Sequence, residues 1–325
     1  MDKALLAVGQ GITNLGERDP RKGLHSDKHH PLFASFLKAL QNEDGPADRA
    51  YPVNITIVRA LFDALDTEHP IHGTLNKHVI DLILVGYFWL LRPVEYSDTG
   101  PREGRSQAFL LRHTYFTLES QTYSGCNVPL NDLKDPRRLE SGTLEFDDQK
   151  NGVRGEMVGH RVNNDPLLCP VKALARLVLR LRSAHADADT PIYMHYNNHP
   201  SYRRWMPVKS QFITNALRHA ARSLEHLTGI DHSKISARSL RPGGATALLC
   251  ARVDTSVIQL LGRWKSDAMF RYLRVQAATH ASNYAQSMLD HGSFTFVPDN
   301  FANHDLPVQA ADMAAVLDHD ELYLP

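Results

Sequence analysis

The run "TLNKHVIDLILVGYFWLLRP", residues 74–93, constrains the fold more than any other part of this sequence. Its middle is apolar on every face of a helix, so a helix formed by it must be mostly buried. Pro93 is expected to end that helix, because the residue before a proline is pushed out of the helical region. The sequence therefore predicts one long buried helix with Arg92 at its very end.

Shorter segments predict further helices around this one. Asn54 and Asp254 each precede an amphipathic run, where their side chains would cap the first turn. Pro170 lies near the first turn of "CPVKALARLVLRLRSA", a position that proline favours. The segment "VKSQFITNALRHAARSLEHL" is amphipathic and is expected to end near Gly229. The last predicted helix is "SDAMFRYLRVQAATHASNYAQSML".

Residues 107 to 162 have a different pattern, with short and partly alternating runs. These runs are "QAFLLRHTYFTL", "SGTLEFDD" and "GEMVGHRV". Asn151 and Gly152 separate the last two runs, and Asn-Gly in that position is a strong hairpin signal. Lys150 would lie at the hairpin tip. The sequence therefore predicts a mostly helical α+β fold with a small antiparallel β-sheet.

The charge distribution divides the chain. Lys plus Arg (36) equals Asp plus Glu (36), yet residues 234–274 hold eight basic side chains and two acidic ones. Residues 275–325 hold seven acidic side chains and no Lys or Arg. This pattern indicates a polyanion-binding segment and an acidic tail able to compete for it. We predict a weakly patterned segment at 1–50, the main domain at 51–292 and the tail at 293–325.

Composition excludes several other classes of protein. No apolar run approaches the roughly 20 residues that a membrane-spanning helix needs, so no membrane partner is expected. The three cysteines are an odd number and lack the spacing of a metal site. A disulfide framework is therefore not expected, and a reducing compartment fits. The start "MDKALLAVGQG" lacks the features of a signal peptide. We therefore expect an intracellular protein.

The stretch "SARSLRPGGATA", residues 236–247, places Arg238 and Arg241 beside a Pro-Gly-Gly break. In a helix, residues three apart lie on one face, roughly 5–6 Å from each other. Two guanidinium groups at that distance repel each other, and an anion between them would relieve the repulsion. The competing interpretation is a solvated, basic helix end.

Five further residues have both a structural and a chemical interpretation. Arg92 and Glu95 could form a structural ion pair at a helix end, or Glu95 could hold Arg92 towards an anion. Lys150 could be a solvated turn residue or could reach a substrate phosphate. Trp264 follows the expected turn at Gly262 and could be a core aromatic residue, and a tyrosine such as Tyr272 in a helix is usually structural.

Taken in chain order, these features resemble the catalytic domain of the tyrosine recombinase (phage integrase) superfamily. The chain is most similar to the integrase-like proteins of eukaryotic mobile elements, the DIRS-type and Crypton-type recombinases. The resemblance rests on "LLRPVEY", "QKNG", "SLRPGGATALL" and "LLGRWKSDAMFRYLR" and covers roughly residues 54 to 290. The last segment is the most specific, because its turn, spacing and tyrosine agree.

The resemblance implies a mechanism for site-specific DNA recombination and integration without a metal ion or cofactor. Arg92 and Arg241 would clamp one DNA phosphate, and Glu95 would orient Arg92. Lys150 would protonate the departing 5′ oxygen, and Tyr272 would attack the phosphorus to form a 3′-phosphotyrosyl bond. The implied partner is double-stranded DNA, bound by a dimer or tetramer, in the nucleus if the source is eukaryotic.

The sequence departs from the family pattern in three respects. The family usually has histidine three residues before the second catalytic arginine, where this chain has Arg238, a donor to phosphate but a poor proton shuttle. The His or Trp that usually lies nine residues before the tyrosine corresponds to Arg263, with Trp264 one position later, and either residue could fill that role. Residues 1–50 are short for the family's core-binding domain, so we expect a partial remnant and weaker DNA binding.

Two alternative functions remain open from the sequence. The first is a catalytically degenerate, integrase-derived protein that binds DNA but does not cut it, which the departure at Arg238 favours. The second is a helix-turn-helix regulator built on "TSVIQLLGRWKSDAMFRYL". The second alternative gives no role to Arg92 or Lys150.

Overall fold

The computed structural model describes residues 2–23, 28–35, 51–69, 72–100, 107–147, 155–163, 165–199 and 202–264. The chain divides into two compact units, Met1–Tyr51 and Pro52–Pro325. The first unit contains helix α1 (Asp2–Asn14) and helix α2, which is described from residue 31 to residue 35. A forked ion pair between Arg21 and Asp19 is partly buried within this unit.

The second unit contains the remaining described helices and strands. Its helices are α3 (Ile55–Ala64), α4 (Gly73–Phe88), α5 (Pro93–Tyr96), α6 (Leu130–Lys134), α7 (Pro170–Ser183), α8 (Ser210–Arg222), α9 (Glu225–Thr228), α10 (Leu240–Cys250) and α11 (Thr255–Gly262). Its strands are β1 (Thr114–Leu118), β2 (Gln121–Ser124), β3 (Leu139–Phe146), β4 (Glu156–Arg161), β5 (Met194–His199) and β6 (Tyr202–Pro207).

Helix α4 is the buried centre of this unit, as its apolar sequence predicts. Its residues from His78 to Tyr87 are all buried, and it packs against α3, α7, α8 and α10. Its predicted end is wrong. The helix ends at Phe88, because Leu90 takes a left-handed conformation (φ 51°) that no continuing helix allows. Arg92 is therefore the residue before the next helix, and Pro93 is the first residue of α5.

The predicted helix starts elsewhere are confirmed. The Asn54 side chain accepts a hydrogen bond from the Ile57 N–H at 3.0 Å, which caps α3. The Asp254 carboxylate caps α11 in the same way. Pro170 is the first residue of α7. The helix predicted to end near Gly229 is divided, since α8 ends at Arg222 and Gly229 (φ 64°) ends the separate helix α9. These capping signals are local, so the sequence alone is sufficient to place them.

The main sheet is antiparallel, with strand order β2-β1-β3-β4. Strands β3 and β4 pair from Phe146 opposite Glu156 to Ser141 opposite Arg161, which confirms the predicted pairing of the runs on either side of "QKNG". The segment "QAFLLRHTYFTL" forms a strand only from Thr114, after a 3₁₀ turn at Leu111–His113. The fold is thus α+β with a small antiparallel sheet, as predicted.

A second hairpin, β5–β6, was not predicted from the sequence. Its two strands pair with each other and form a separate two-stranded sheet. The polar sequences "MHYNNH" and "YRRWMP" lack the apolar alternation of a half-buried strand. Tyr196 lies directly opposite Trp205 in this pair, and that cross-strand aromatic contact stabilises the hairpin.

The predicted Pro-Gly-Gly break is wrong, because these three residues lie inside helix α10. A proline is tolerated there, since it lies in the first turn of the helix. The two glycines let the helix approach other backbone closely. A Cβ atom on Gly243 would lie 2.0 Å from the Val53 carbonyl oxygen, and one on Gly244 would lie 2.4 Å from the Tyr87 carbonyl oxygen. Gly244 therefore lets α10 approach the end of α4, and Gly243 lets it approach the backbone that precedes α3.

None of the described helices is both long enough and apolar enough to cross a bilayer.

We expect Gly244→Ala to destabilise the second unit. The added methyl group would overlap the Tyr87 carbonyl oxygen, so the two helices must separate, at a cost of about 2–3 kcal/mol in the free energy of unfolding. Denaturant unfolding followed by circular dichroism measures this cost. The matched control is Gly11→Ala in α1, where nothing lies within 4 Å of the added Cβ atom. Equal stability of the Gly244→Ala variant and the wild type would contradict the close approach of α4 and α10.

Candidate functional site

The C-terminal end of α4 is where several of the predicted site residues meet. The last carbonyl groups of a helix have no partner within the helix and need donors from elsewhere. The Phe88 carbonyl accepts from His160 Nε2 at 3.0 Å, and the Trp89 carbonyl accepts from Arg263 at 3.1 Å. The Leu90 carbonyl accepts from Arg241 at 3.0 Å and from Arg263 at 3.2 Å. Positive charge is also favoured there by the helix dipole.

Arg241 reaches this position from the first turn of α10. Its side chain is buried, and besides Leu90 it donates to the Gly262 carbonyl at the end of α11. Its guanidinium carbon lies 4.4 Å from the centre of the Trp264 ring, a distance at which the cation and the ring attract. Arg241 thus joins the ends of α4 and α11 through their backbone oxygens.

Arg263 lies just beyond α11, in a left-handed conformation with a φ of 54°. Its side chain is fully buried, with the guanidinium carbon 3.7 Å from the centre of the Phe146 ring. Burial lowers the pKa of Arg263 to about 10, and the nearby Glu95 carboxylate acts in the opposite direction. An Arg263 nitrogen lies 3.4 Å from Glu95 Oε2, so the buried cation has a buried anion beside it.

Glu95 holds two arginines with one carboxylate. Its Oε1 accepts from Arg92 Nη1 at 2.8 Å, and its Oε2 accepts from the Arg92 backbone N–H at 2.7 Å. The Glu95 side chain is only 4% exposed, whereas that of Arg92 is 23% exposed. Nε and Nη2 of Arg92 have no hydrogen-bond acceptor among the residues that the structure describes. Of the arginines at this end of α4, Arg92 is therefore the one with donors available to a ligand from solvent.

Arg238 does not join this group. It lies in the 3₁₀ turn Ala237–Ser239 that precedes α10, and its side chain is exposed. Arg241, three residues later, is buried and donates to the backbone carbonyl groups of Leu90 and Gly262 instead of facing solvent beside Arg238. An anion between these two residues is therefore not supported by the geometry.

The predicted turn at Gly262 needs a correction as well. Gly262 is the last residue of α11, and the positive φ falls on Arg263 instead. Gly262 instead leaves room for the Trp264 ring, since a Cβ atom at this position would lie 1.6 Å from a ring atom and would displace the ring. Arg263 contacts Glu95 and Trp264 stacks on Arg241, so both candidates for the His/Trp role lie in the group.

His160 belongs to this site although no sequence pattern pointed to it. It lies on β4, donates to the Phe88 carbonyl, and its ring packs edge-on to the Trp89 ring at 4.7 Å. Burial lowers the pKa of His160. The neutral imidazole therefore persists near neutral pH, with Nδ1 as an acceptor. Only the packing of β4 against the end of α4 reveals this role.

Two predicted site residues lie outside the part of the chain that the structure describes. These are Lys150, in the connection between β3 and β4, and Tyr272, beyond Trp264. Their predicted roles stay predictions.

Ligand atoms able to hold a metal ion come together at one place among the described residues. Atoms of Glu225, Asp231 and His232 lie within 4.8 Å of one another. The Asp231 carboxylate already accepts from the Ser233 N–H and hydroxyl, and His232 Nδ1 lies 2.6 Å from Glu225 Oε2. These contacts satisfy the group without an ion, and it has no part in the arginine site.

A scan against models of known protein families finds no match for this chain, and a search of curated proteins finds no significantly similar sequence.

Arg241 and Arg238 are predicted to differ sharply in their effect on stability. Arg241→Gln removes the buried donor of the Gly262 carbonyl and one of the two donors of the Leu90 carbonyl, and we expect it to lower the free energy of unfolding by about 2–4 kcal/mol. Arg238→Gln alters only an exposed side chain and should change it by less than about 0.5 kcal/mol. Denaturant titration of both variants makes the comparison, and equal losses would contradict the capping role of Arg241.

His160 should make stability depend on pH. Because burial lowers its pKa from the ordinary 6.5, the unfolded chain binds more protons than the folded chain near and below that pH. The free energy of unfolding contributed by His160 is thus present above pH 6.5 and is lost as the pH falls towards the lowered value. His160→Gln keeps an N–H donor for Phe88 but does not titrate. It should lose less stability than the wild type between about pH 7 and about pH 5.

The control for this measurement is His219→Gln, which alters an exposed histidine of α8. This variant should lose as much stability as the wild type over the same pH range. If His160→Gln and the wild type lose stability equally, His160 is not neutral in the folded state.

Proposed function

We propose that this protein breaks and rejoins DNA by a tyrosine recombinase mechanism. One observation supports the proposal. Arg92 and Glu95 are separated by about 150 residues from Arg241 in the sequence. All three nevertheless lie together with Arg263 at the end of α4. The same order of residues carries the resemblance in the sequence. Fixed guanidinium groups can stabilise the charge that develops on a phosphate during its transfer.

Each residue has a role in the proposed reaction. The free donors of Arg92 bind a non-bridging oxygen of one DNA phosphate, and Glu95 holds Arg92 in place. The Tyr272 oxygen attacks phosphorus and its proton passes to solvent water, while the bond from phosphorus to the 5′ oxygen breaks. Lys150 gives a proton to that leaving oxygen. Rejoining is the reverse reaction with a new 5′ hydroxyl, so the energy of the phosphodiester bond is conserved.

The proposed partner is double-stranded DNA. Recombination requires two DNA sites, so we propose that two or four copies of the chain assemble on DNA, in the nucleus of a eukaryotic source. Positive charge concentrated in residues 234–274 supports contact with the DNA backbone.

A second candidate function is DNA binding without strand cleavage. Arg241 favours it, because its guanidinium is buried and donates to two backbone carbonyls rather than facing solvent. Arg238 favours it too, since arginine replaces the histidine of the family pattern and does not shuttle protons at neutral pH. In this case Arg92 would hold a DNA phosphate and Tyr272 would be structural.

Incubation with a nicked DNA site that traps the intermediate distinguishes the two functions. The wild type should form a covalent protein–DNA adduct that survives denaturation, because the leaving strand is lost and ligation cannot occur. Tyr272→Phe should remove the adduct completely, since it deletes the attacking oxygen. The matched control is Tyr284→Phe, the next tyrosine of the chain, which should keep full adduct formation.

The same samples test binding in a gel-shift assay. An adduct that persists in Tyr272→Phe contradicts the nucleophile assignment. DNA binding without any adduct, weakened about tenfold or more by Arg92→Gln, supports the second candidate instead. Absence of both an adduct and DNA binding contradicts both candidates.

A further inference from the structure

A cleft away from the arginine site lies between α4, the end of α7 and the β5–β6 hairpin. Its volume is about 410 Å³, and its lining includes His78, Arg180, His195, Arg203 and Trp205. Pockets that hold small organic molecules range from about 300 to about 1,000 Å³. The cleft is therefore large enough for one nucleotide-sized ligand.

One face of the hairpin supplies aromatic and polar groups to this cleft. Tyr196 pairs with Trp205, and Asn198 pairs with Arg203, so all four side chains lie on the same face. All four line the cleft. Aromatic rings next to an arginine suit a ligand that has both a flat ring and negative charge.

The charge in the cleft is positive. No carboxylate of the described residues is among its lining groups. Arg180 lines it while donating to the buried Asp81, which Arg176 also contacts. Arg203 is exposed, and no described residue accepts a hydrogen bond from its guanidinium. Arg203 is thus the cation most available to an anion.

His195 lines the cleft and is largely buried there. It is 9% exposed, and neither of its ring nitrogens makes a hydrogen bond with a described residue. Burial, with a smaller effect of the Arg180 charge, lowers the pKa of His195 to about 4, so its ring is neutral near pH 7. A neutral imidazole offers one donor and one acceptor. Because His195 lines the cleft, a ligand bound there can take up these hydrogen-bonding groups.

His78 cannot play that part, because both of its nitrogens are occupied. Its Nε2 donates to the Ile192 carbonyl at 3.1 Å, and Arg180 Nε lies 3.4 Å from its Nδ1. The rings of His78 and His195 meet edge to face at 5.6 Å, which holds His195 in position.

We propose that this cleft binds an aromatic organic anion with the chemistry of a nucleoside monophosphate. Arg203 binds the phosphate, Trp205 and Tyr196 contact the base, and His195 hydrogen-bonds to a polar edge of the base. The proposal does not depend on the recombinase function, since none of these residues belongs to the arginine site.

Isothermal titration of the full chain with adenosine 5′-monophosphate, adenosine and inorganic phosphate tests the proposal. The monophosphate should bind at least about tenfold more tightly than either of its parts, because both halves of the cleft are then filled. Arg203→Gln should weaken binding of the monophosphate about tenfold and leave binding of adenosine unchanged. His195→Phe should weaken binding of both adenosine and the monophosphate.

The matched control is Arg204→Gln, which alters the adjacent arginine on the opposite face of the same strand. It should change the affinity by less than about twofold. Circular dichroism on every variant confirms that it is folded. Absence of saturable binding to the wild type overturns the proposal. Equal losses in Arg203→Gln and Arg204→Gln also overturn it, since they would indicate attraction to surface charge alone.

Discussion

The end of helix α4 is the constraint on which the rest of the second unit depends. A helix so thoroughly buried cannot leave its last carbonyl groups to water, and each must find a donor inside the protein. His160, Arg241 and Arg263 provide those donors from a strand and two helix ends that are far apart in the sequence. The sheet, α10 and α11 are thereby joined at one point of the fold.

Two of the residues that satisfy these carbonyls, Arg241 and Arg263, are among those that the sequence predicted for the phosphate site. Carbonyl and phosphate oxygens are both hydrogen-bond acceptors, and arginine binds either. Glu95 separates the two roles in this fold. Its carboxylate contacts the buried guanidinium of Arg263 and also that of Arg92, which is partly exposed to solvent. One carboxylate is therefore paired with a structural cation and with a cation that can reach a ligand.

Local signals in the sequence predicted much of the fold. The burial of α4 follows from its composition, and the caps at Asn54 and Asp254 follow from side chains within three residues of the helix start. The end of α4 could not be predicted in the same way. It depends on the positive φ of Leu90, which its sequence neighbours do not require and which contacts with the arginines stabilise.

The site was predicted only in part for a related reason. The order of residues in the sequence predicted that Arg92, Glu95, Arg241 and Arg263 belong to one site. Sequence spacing, however, does not distinguish an arginine that faces solvent from one that caps a helix. In the sequence, the two glycines of α10 suggest the end of a helix. In the structure they lie inside the helix, where the absence of a side chain lets another part of the backbone approach closely. His160 carries no signal, because its partner is a backbone oxygen.

The Leu90 carbonyl oxygen accepts from Arg241 and Arg263 at once. One atom therefore carries interactions of two side chains that leave from different helix ends. When one arginine is lost, the oxygen keeps a donor and the other arginine can adjust towards it. The contributions of the two arginines to the free energy of unfolding are therefore not additive. The effect of replacing one arginine depends on whether the other is present.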